Sequence, residues 1–169
     1  MSDAEAEFEP APILVRLAEA GVDFVVIGGV AAGAHGSAFS TFDLDVAYAR
    51  DPENLERIAE VLRSLDARLR GAPPDLPFLL DARTLAAGAH FTFLTDLGPV
   101  DLLTDPDGAP SYDRLRADAT VIDVRGHQVR IASLDHLIAM KEASGRPKDK
   151  LQATEYRAIS DELRAPRDG

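Results

Sequence analysis

Residues 24–48 contain the pattern that most constrains how this chain folds. Four apolar residues, 24–27, three of them β-branched, predict a buried strand that stops abruptly at Gly28-Gly29. The Ala-rich stretch 30–35 then favours a short helix. A strand, a Gly-Gly turn and a helix in this order predict an α/β segment whose backbone N–H groups face outward at the turn.

Asp43 and Asp45 follow this segment and alternate with apolar residues. On a second strand, both carboxylates would leave the same face, where they repel each other unless a divalent cation lies between them. Each half of the pattern also has a simpler interpretation: Gly28-Gly29 as an ordinary turn, and the aspartates as a solvated loop. Together they predict a phosphate-binding turn beside a cation site.

The residues Gly28-Gly29, thirteen intervening positions and Asp43-Leu44-Asp45 resemble the signature of the nucleotidyltransferase superfamily with a DNA polymerase β-like core. Within it, the chain is most similar to the bacterial AbiEii-type toxin nucleotidyltransferases. The resemblance implies an α/β (α+β) fold, with a mixed β-sheet and helices packed mainly on one side. It also implies two Mg²⁺ ions, with Mn²⁺ as a substitute, and transfer of a nucleoside monophosphate from an NTP to an acceptor.

A third carboxylate is expected at Asp101. Residues 90–94 and 99–103 predict a hairpin around 95–98, and Asp101 stands inside the apolar run of its second arm. The resemblance places the last metal carboxylate on such a strand, so that Asp101 would complete the catalytic metal site. The alternative is an aspartate on an edge strand that faces water.

Basic residues near the C-terminus also match the resemblance. Lys141 lies on a predicted helix, and Arg146, Lys148 and Asp149 follow it in the order typical of the family. Basic side chains there would neutralise triphosphate oxygens; the alternative is that Lys141 and Arg146 are solvated helix ends. The residues expected to bind the nucleotide are Gly28, Gly29, Ser37, Thr41, Lys141, Arg146 and Lys148.

The chain departs from the family at two positions. Relatives often have an arginine two residues before the threonine that here is Thr41, where this chain has Phe39, and an acidic residue where it has Gln152. These changes leave an alternative open, namely a nucleotidyltransferase-like subunit that is catalytically altered and acts by binding a partner. A structural α/β domain with coincidental carboxylates is a third interpretation.

Length and composition limit the remaining possibilities. The 169 residues suit one domain, assigned to 13–165, preceded by a flexible acidic tail over 1–12. Because there is no cysteine, disulfides, zinc–thiolate sites and cysteine nucleophiles are excluded. No apolar run approaches about 18 residues and the N-terminal region has no signal-peptide character, so we expect no membrane contact and a cytoplasmic location.

The net charge of −11 bears on the acceptor. Binding to a nucleic-acid backbone needs clustered Lys and Arg, so an RNA acceptor is possible but not favoured. The charge favours a small molecule, a protein side chain or a basic partner. The resemblance to AbiEii-type toxins implies that such a partner would be an antitoxin, in a toxin–antitoxin-like system. The chain has no Walker A motif and no GxSxG motif, so P-loop and serine hydrolase functions have no support.

Local signals predict the other elements. Asp51-Pro52 marks a helix start, and residues 68–77, with three prolines and Gly71, predict a loop. Further predictions are helices over 13–20, 81–86, 133–143 and 147–163, and a hairpin of 120–124 with 128–131.

Overall fold

The computed structural model describes residues 7–166, which form seven helices and seven strands. The helices are α1 (Ala11–Glu19), α2 (Gly28–Ala34), α3 (Pro52–Ser64), α4 (Ala82–Ala87), α5 (Tyr112–Ala117), α6 (Leu134–Ser144) and α7 (Pro147–Arg164). The strands are β1 (Phe24–Ile27), β2 (Leu44–Tyr48), β3 (Arg68–Leu69), β4 (His90–Thr95), β5 (Gly98–Leu103), β6 (Thr120–Val124) and β7 (His127–Ile131).

The strands form one mixed sheet in the order β3-β4-β5-β2-β1-β7-β6. Strands β1 and β2 are antiparallel and lie at the centre, while β2 runs parallel to β5 and β1 parallel to β7. The hairpins β4–β5 and β6–β7 are antiparallel and flank this pair. The predicted fold class, a mixed sheet combined with helices, is confirmed.

The central strands explain the apolar pattern of the sequence. All four residues of β1 are buried, which is why it reads as an uninterrupted apolar run rather than an alternating one. In β2 every residue is buried except Asp45, which stays partly exposed. The core of the protein therefore surrounds β1 and β2, and one carboxylate emerges from its centre.

Side-chain caps define the helix starts. Asp51 accepts a hydrogen bond from the Asn54 backbone N–H at 3.2 Å. Ser133 accepts a hydrogen bond from the His136 backbone N–H, and both residues precede a helix as predicted. Ser111 caps α5 in the same way, by accepting from the Arg114 backbone N–H. Helix α5 was not predicted, because its six residues show no helical pattern and its Ser111 cap was not recognised. The equally short α4 was predicted from its cap, Asp81.

Three predicted boundaries are wrong. Helix α2 begins at Gly28 rather than at residue 30, so both glycines belong to its first turn. Strand β2 begins at Leu44, and Asp43 lies just before it. The predicted loop over 68–77 contains the short strand β3, which pairs with the distant β4 and therefore has no local signal.

The predicted tail falls partly outside the described residues, since 1–6 are not among them. Within 7–12, the ring of Phe8 lies against Gly98 in the β4–β5 turn, and α1 begins at Ala11. Among the described residues, no helix combines the length and the apolar character that a bilayer crossing requires.

Candidate active site

Three carboxylates converge where β2 and β5 lie side by side. In the parallel register, Asp45 on β2 is the direct neighbour of Asp101 on β5, and Asp43 precedes β2 by one residue. One carboxylate oxygen from each residue lies within 4.8 Å of the others. Strand β5 is an inner strand and the Asp101 side chain is only 13% exposed, so the interpretation as a water-facing aspartate on an edge strand is wrong.

Burial and neighbouring charge disfavour ionisation of this cluster. Burial, together with the neighbouring carboxylates of Asp43 and Asp101, raises the pKa of Asp45 to about 8. Burial also raises the pKa of Asp101, although the guanidinium of Arg70 opposes that shift. Full ionisation of the cluster is therefore unfavourable without a cation, as expected where a cation is to be bound.

Arg70 is the residue at this site that the sequence analysis missed. It follows β3, and its Nη2 donates hydrogen bonds to both oxygens of Asp101, at 3.1 and 3.4 Å. Its Nη1 lies 3.8 Å from Asp43 Oδ2. The alternation of Arg68 and Arg70 around Leu69 was the available signal of a short strand, but nothing local indicates what Arg70 contacts.

The Gly-Gly turn lies directly against the carboxylates. Gly28 has a φ of +67°, and a β-carbon there would overlap Asp45 Oδ2. A β-carbon on Gly29 would lie 2.7 Å from Thr41 Oγ1, closer than atoms in contact tolerate. Both positions thus require glycine, because β2 and the segment before it approach the start of α2 so closely.

Ser37 and Thr41 make hydrogen bonds within the protein. The Ser37 hydroxyl donates to Glu155 on α7, and the Ala38 backbone N–H donates to the same carboxylate at 3.1 Å. Thr41 Oγ1 donates to the backbone carbonyl of Asp43 at 3.2 Å. Glu155, which sequence analysis did not single out, therefore connects the segment after α2 to the last helix.

The basic residues expected at the phosphates surround an aspartate. Asp149 is 3% exposed and accepts hydrogen bonds from Lys141 Nζ at 3.2 Å, from Arg146 Nε at 2.8 Å and from the Ser144 hydroxyl. Although burial alone would raise it, the pKa of Asp149 is lowered to about 2 by these three donors. The side chain of Arg146 is 79% exposed and that of Lys141 23%, so both cations still reach the surface.

A cleft of about 410 Å³ brings most of the expected site residues together. Its lining includes Gly29, Ser37, Thr41, Asp43, Asp45, Lys141, Arg146 and Lys148. Gly28 is not among these residues; it lines a second cavity of about 370 Å³, which also contains Asp45 and Lys141. Asp101 lines neither cavity and joins the site through its neighbours Asp45 and Arg70.

Phe39 and Gln152, the two positions that differ from the pattern the sequence resembles, also line the cleft. Phe39 is 41% exposed, and Phe42, in the same segment, is 70% exposed. Gln152 is buried beside Asp149 on α7. Phe39 and Phe42 therefore give the cleft an apolar surface.

Comparisons with known proteins show which solved structures share this fold. No protein-family model and no curated protein sequence matches the chain. The lincosamide antibiotic adenylyltransferase LnuA, solved with lincomycin bound, has a TM-score of 0.60 at 10% identity, covering 88% of this chain and 94% of its own. An antigenic nucleotidyltransferase-like protein from Paracoccidioides brasiliensis has a TM-score of 0.58 at 16% identity, covering 92% and 75%.

A third structure is ANT(2'')-Ia in complex with adenylyl-2''-tobramycin, with a TM-score of 0.53 at 16% identity. The match covers 89% of this chain and 85% of ANT(2'')-Ia. At these identities the likeness concerns the arrangement of strands and helices. The chain has the fold of solved nucleotidyltransferases.

Proposed function

We propose that this protein is a Mg²⁺-dependent nucleotidyltransferase, which moves a nucleoside monophosphate from an NTP to an acceptor. The observation that carries the proposal is the convergence of Asp43, Asp45 and Asp101, with oxygens within 4.8 Å of one another, beside a cleft lined by Lys141 and Arg146. Carboxylates gathered next to basic side chains suit a metal–triphosphate complex, in which both signs of charge need a partner.

The carboxylates fit a divalent ion. All three offer the oxygen ligands that Mg²⁺ and Mn²⁺ prefer. Burial first, and then the charges of Asp43 and Asp101, raise the pKa of Asp45, and a bound cation would offset both effects. When bound, Mg²⁺ would neutralise charge on the phosphoryl oxygens and lower the pKa of an attacking hydroxyl. We assign Asp43, Asp45 and Asp101 as its protein ligands.

The protein's own groups position the substrates. Gly28 and Gly29 would offer backbone N–H groups to the triphosphate, and Lys141 and Arg146 would neutralise its outer phosphates. Ser37, Thr41 and Lys148 would contribute as further nucleotide contacts. The acceptor oxygen bonds to the α-phosphorus as the bond to the bridging oxygen breaks, pyrophosphate leaves with that electron pair, and the acceptor proton passes to Asp101.

A small-molecule acceptor is favoured over RNA. The net charge of −11 disfavours a nucleic-acid surface. LnuA was solved with lincomycin and ANT(2'')-Ia with an adenylylated tobramycin, and we extend the same acceptor class to this chain. A toxin role of the AbiEii type, an antitoxin partner and a cytoplasmic location stay predictions. Co-purification of a tagged chain with a small basic protein from its native host would support the antitoxin.

A melting experiment tests the nucleotide and metal parts together. Mg²⁺ or Mn²⁺ with ATP should stabilise the folded protein by mass action, by about 3 kcal/mol when the ligand concentration exceeds Kd a hundredfold. This stabilisation should raise Tm, and EDTA should cancel the rise. Incubation with an α-³²P-labelled NTP and a panel of hydroxylated antibiotics should then release labelled product and pyrophosphate. No Tm shift with any of the common ribonucleoside triphosphates would count decisively against a nucleotide site.

The exposed phenylalanines favour one alternative, a nucleotidyltransferase-like subunit that binds a partner without transfer. Phe39 and Phe42 present apolar surface beside the cleft, and such surface is typical of contact sites. Nucleotide-dependent stabilisation without pyrophosphate release, together with partner binding that is lost on Phe42→Ser, would support this alternative. Pyrophosphate release that depends on Asp45 would exclude it.

A further inference from the structure

Arg70 is held in place to contact the carboxylate cluster. Its backbone N–H donates to the Thr92 carbonyl at 2.9 Å, and Thr92 is the direct cross-strand neighbour of Asp101. The main chain of Arg70 therefore lies about two strand spacings, roughly 10 Å, from that of Asp101, a distance that an extended arginine and an aspartate span between them. The guanidinium ends within 3.4 Å of both Asp101 oxygens and 3.8 Å from Asp43.

We propose that Arg70 is an internal cation that competes with the divalent ion for Asp101 and Asp43, and that it must leave them when the metal binds. The inference rests on the proposed function, because it concerns the same carboxylates. Arg70 covers both oxygens of Asp101, so an ion ligated by either oxygen would stand a few ångströms from the guanidinium. Two cations at that distance repel each other strongly in a partly buried site.

Outside the cluster, no polar contact holds the Arg70 side chain within the described residues. It is 39% exposed, and all its side-chain hydrogen bonds and ion pairs within the described residues go to Asp43 and Asp101. The backbone bond to Thr92 keeps β3 on the sheet whatever the side chain does. Lys141 and Arg146 differ in this respect, because the buried Asp149 holds them.

This arrangement gives Arg70 a definite role. Until a metal binds, the guanidinium reduces repulsion between Asp43 and Asp101, the two carboxylates that it contacts. The site thus stays assembled, and a bare ion has to displace an existing partner. Arg70 accordingly sets how much divalent ion the protein needs and acts as a positioning residue.

Binding of bare Mn²⁺, followed by electron paramagnetic resonance, tests the competition. Arg70→Ala and Arg70→Gln should each raise the association constant by about tenfold, because the displaced cation is gone. Arg68→Ala is the matched control: it removes the same charge two residues away, from a side chain without a hydrogen bond or ion pair among the described residues, and should leave affinity near wild type. Circular dichroism and melting in EDTA establish that each variant is folded.

A second measurement needs no substitution in the protein that is titrated. In ¹⁵N-labelled wild type, the Arg70 Nε–H signal, identified by its loss in Arg70→Gln, should shift and exchange faster with water as Mg²⁺ is added. Unchanged or weaker Mn²⁺ affinity in both Arg70 variants, with an unmoved Nε–H signal, would overturn this inference alone. Absence of Mn²⁺ binding in wild type and variants alike would overturn it together with the proposed metal centre.

Discussion

The ammonium group of Lys141 lies 3.2 Å from a carboxylate oxygen of Asp149, which is almost fully buried. Arg146 and Ser144 donate to the same carboxylate, so α6, the turn after it and the start of α7 meet at one anion. Two side chains expected at the phosphates thus reach the cleft from a position that Asp149 holds. Asp149 consequently belongs to the site as a positioning residue.

Asp149→Asn should destabilise the protein by about 2 kcal/mol near neutral pH, since it removes the charge that three donors share. The pKa of Asp149 is lowered from its ordinary 3.8 to about 2. A lowered carboxyl pKa stabilises the fold above the unfolded value, so this contribution is complete above about pH 4 and is lost as pH falls toward 2.

Urea unfolding of wild type and Asp149→Asn at about pH 6 and pH 3 measures this effect, and the difference between the two proteins should shrink at the lower pH. Asp161→Asn, on an exposed position of α7, is the control and should differ from wild type by less than about 0.5 kcal/mol. A difference for Asp149→Asn that did not depend on pH would contradict the assigned role of the charge.

In EDTA, Asp45→Asn should increase the stability of the protein, whereas Asp149→Asn should decrease it. The pKa of Asp45 is raised to about 8, so the folded state favours the protonated form of this carboxyl. Its contribution to stability is therefore complete below about pH 4 and is lost as pH rises through about 8. The variant should therefore be more stable than wild type at about pH 8 by at least about 1 kcal/mol, with a smaller gain at about pH 5.

The same variant should show no rise in Tm with Mn²⁺ and ATP, because the amide lacks the charge that the ion requires. Asp96→Asn, in the exposed β4–β5 turn, should behave as wild type in both experiments. A preserved ligand shift in Asp45→Asn would refute the assignment of Asp45 as a metal ligand.

Gly28→Ala should destabilise the protein and disturb the carboxylates together. Gly28 and Gly21 both have positive φ angles, +67° and +73°, but only a β-carbon at Gly28 meets a neighbour, the Asp45 carboxylate. Gly21→Ala should cost about 1 kcal/mol from backbone strain alone, and Gly28→Ala a further 1–3 kcal/mol, roughly, from overlap. Urea unfolding gives both values, and the Mn²⁺–ATP shift should be lost only in Gly28→Ala; equal costs in the two variants would disprove the contact.

Short-range patterns determined much of this structure. Residues a few positions apart predict the helix caps Asp51 and Ser133 and the turns of the β4–β5 and β6–β7 hairpins. Capping and tight turns depend on neighbouring residues, so they leave a local signal. Alternation along the strand also predicts the carboxylates of Asp43 and Asp45, and Asp101 is predicted through the resemblance to nucleotidyltransferases.

Long-range pairing brings these residues together. The parallel pairing of β2 with β5 places Asp101 beside Asp45, although more than fifty residues separate them in the chain. Arg70 reaches Asp101 from beyond β4, and Asp149 pairs with cations from two other segments. Such contacts depend on strand order and side-chain reach across the folded sheet. Neither is encoded in local spacing, so the sequence identified the acidic residues and the fold determined their counter-ions.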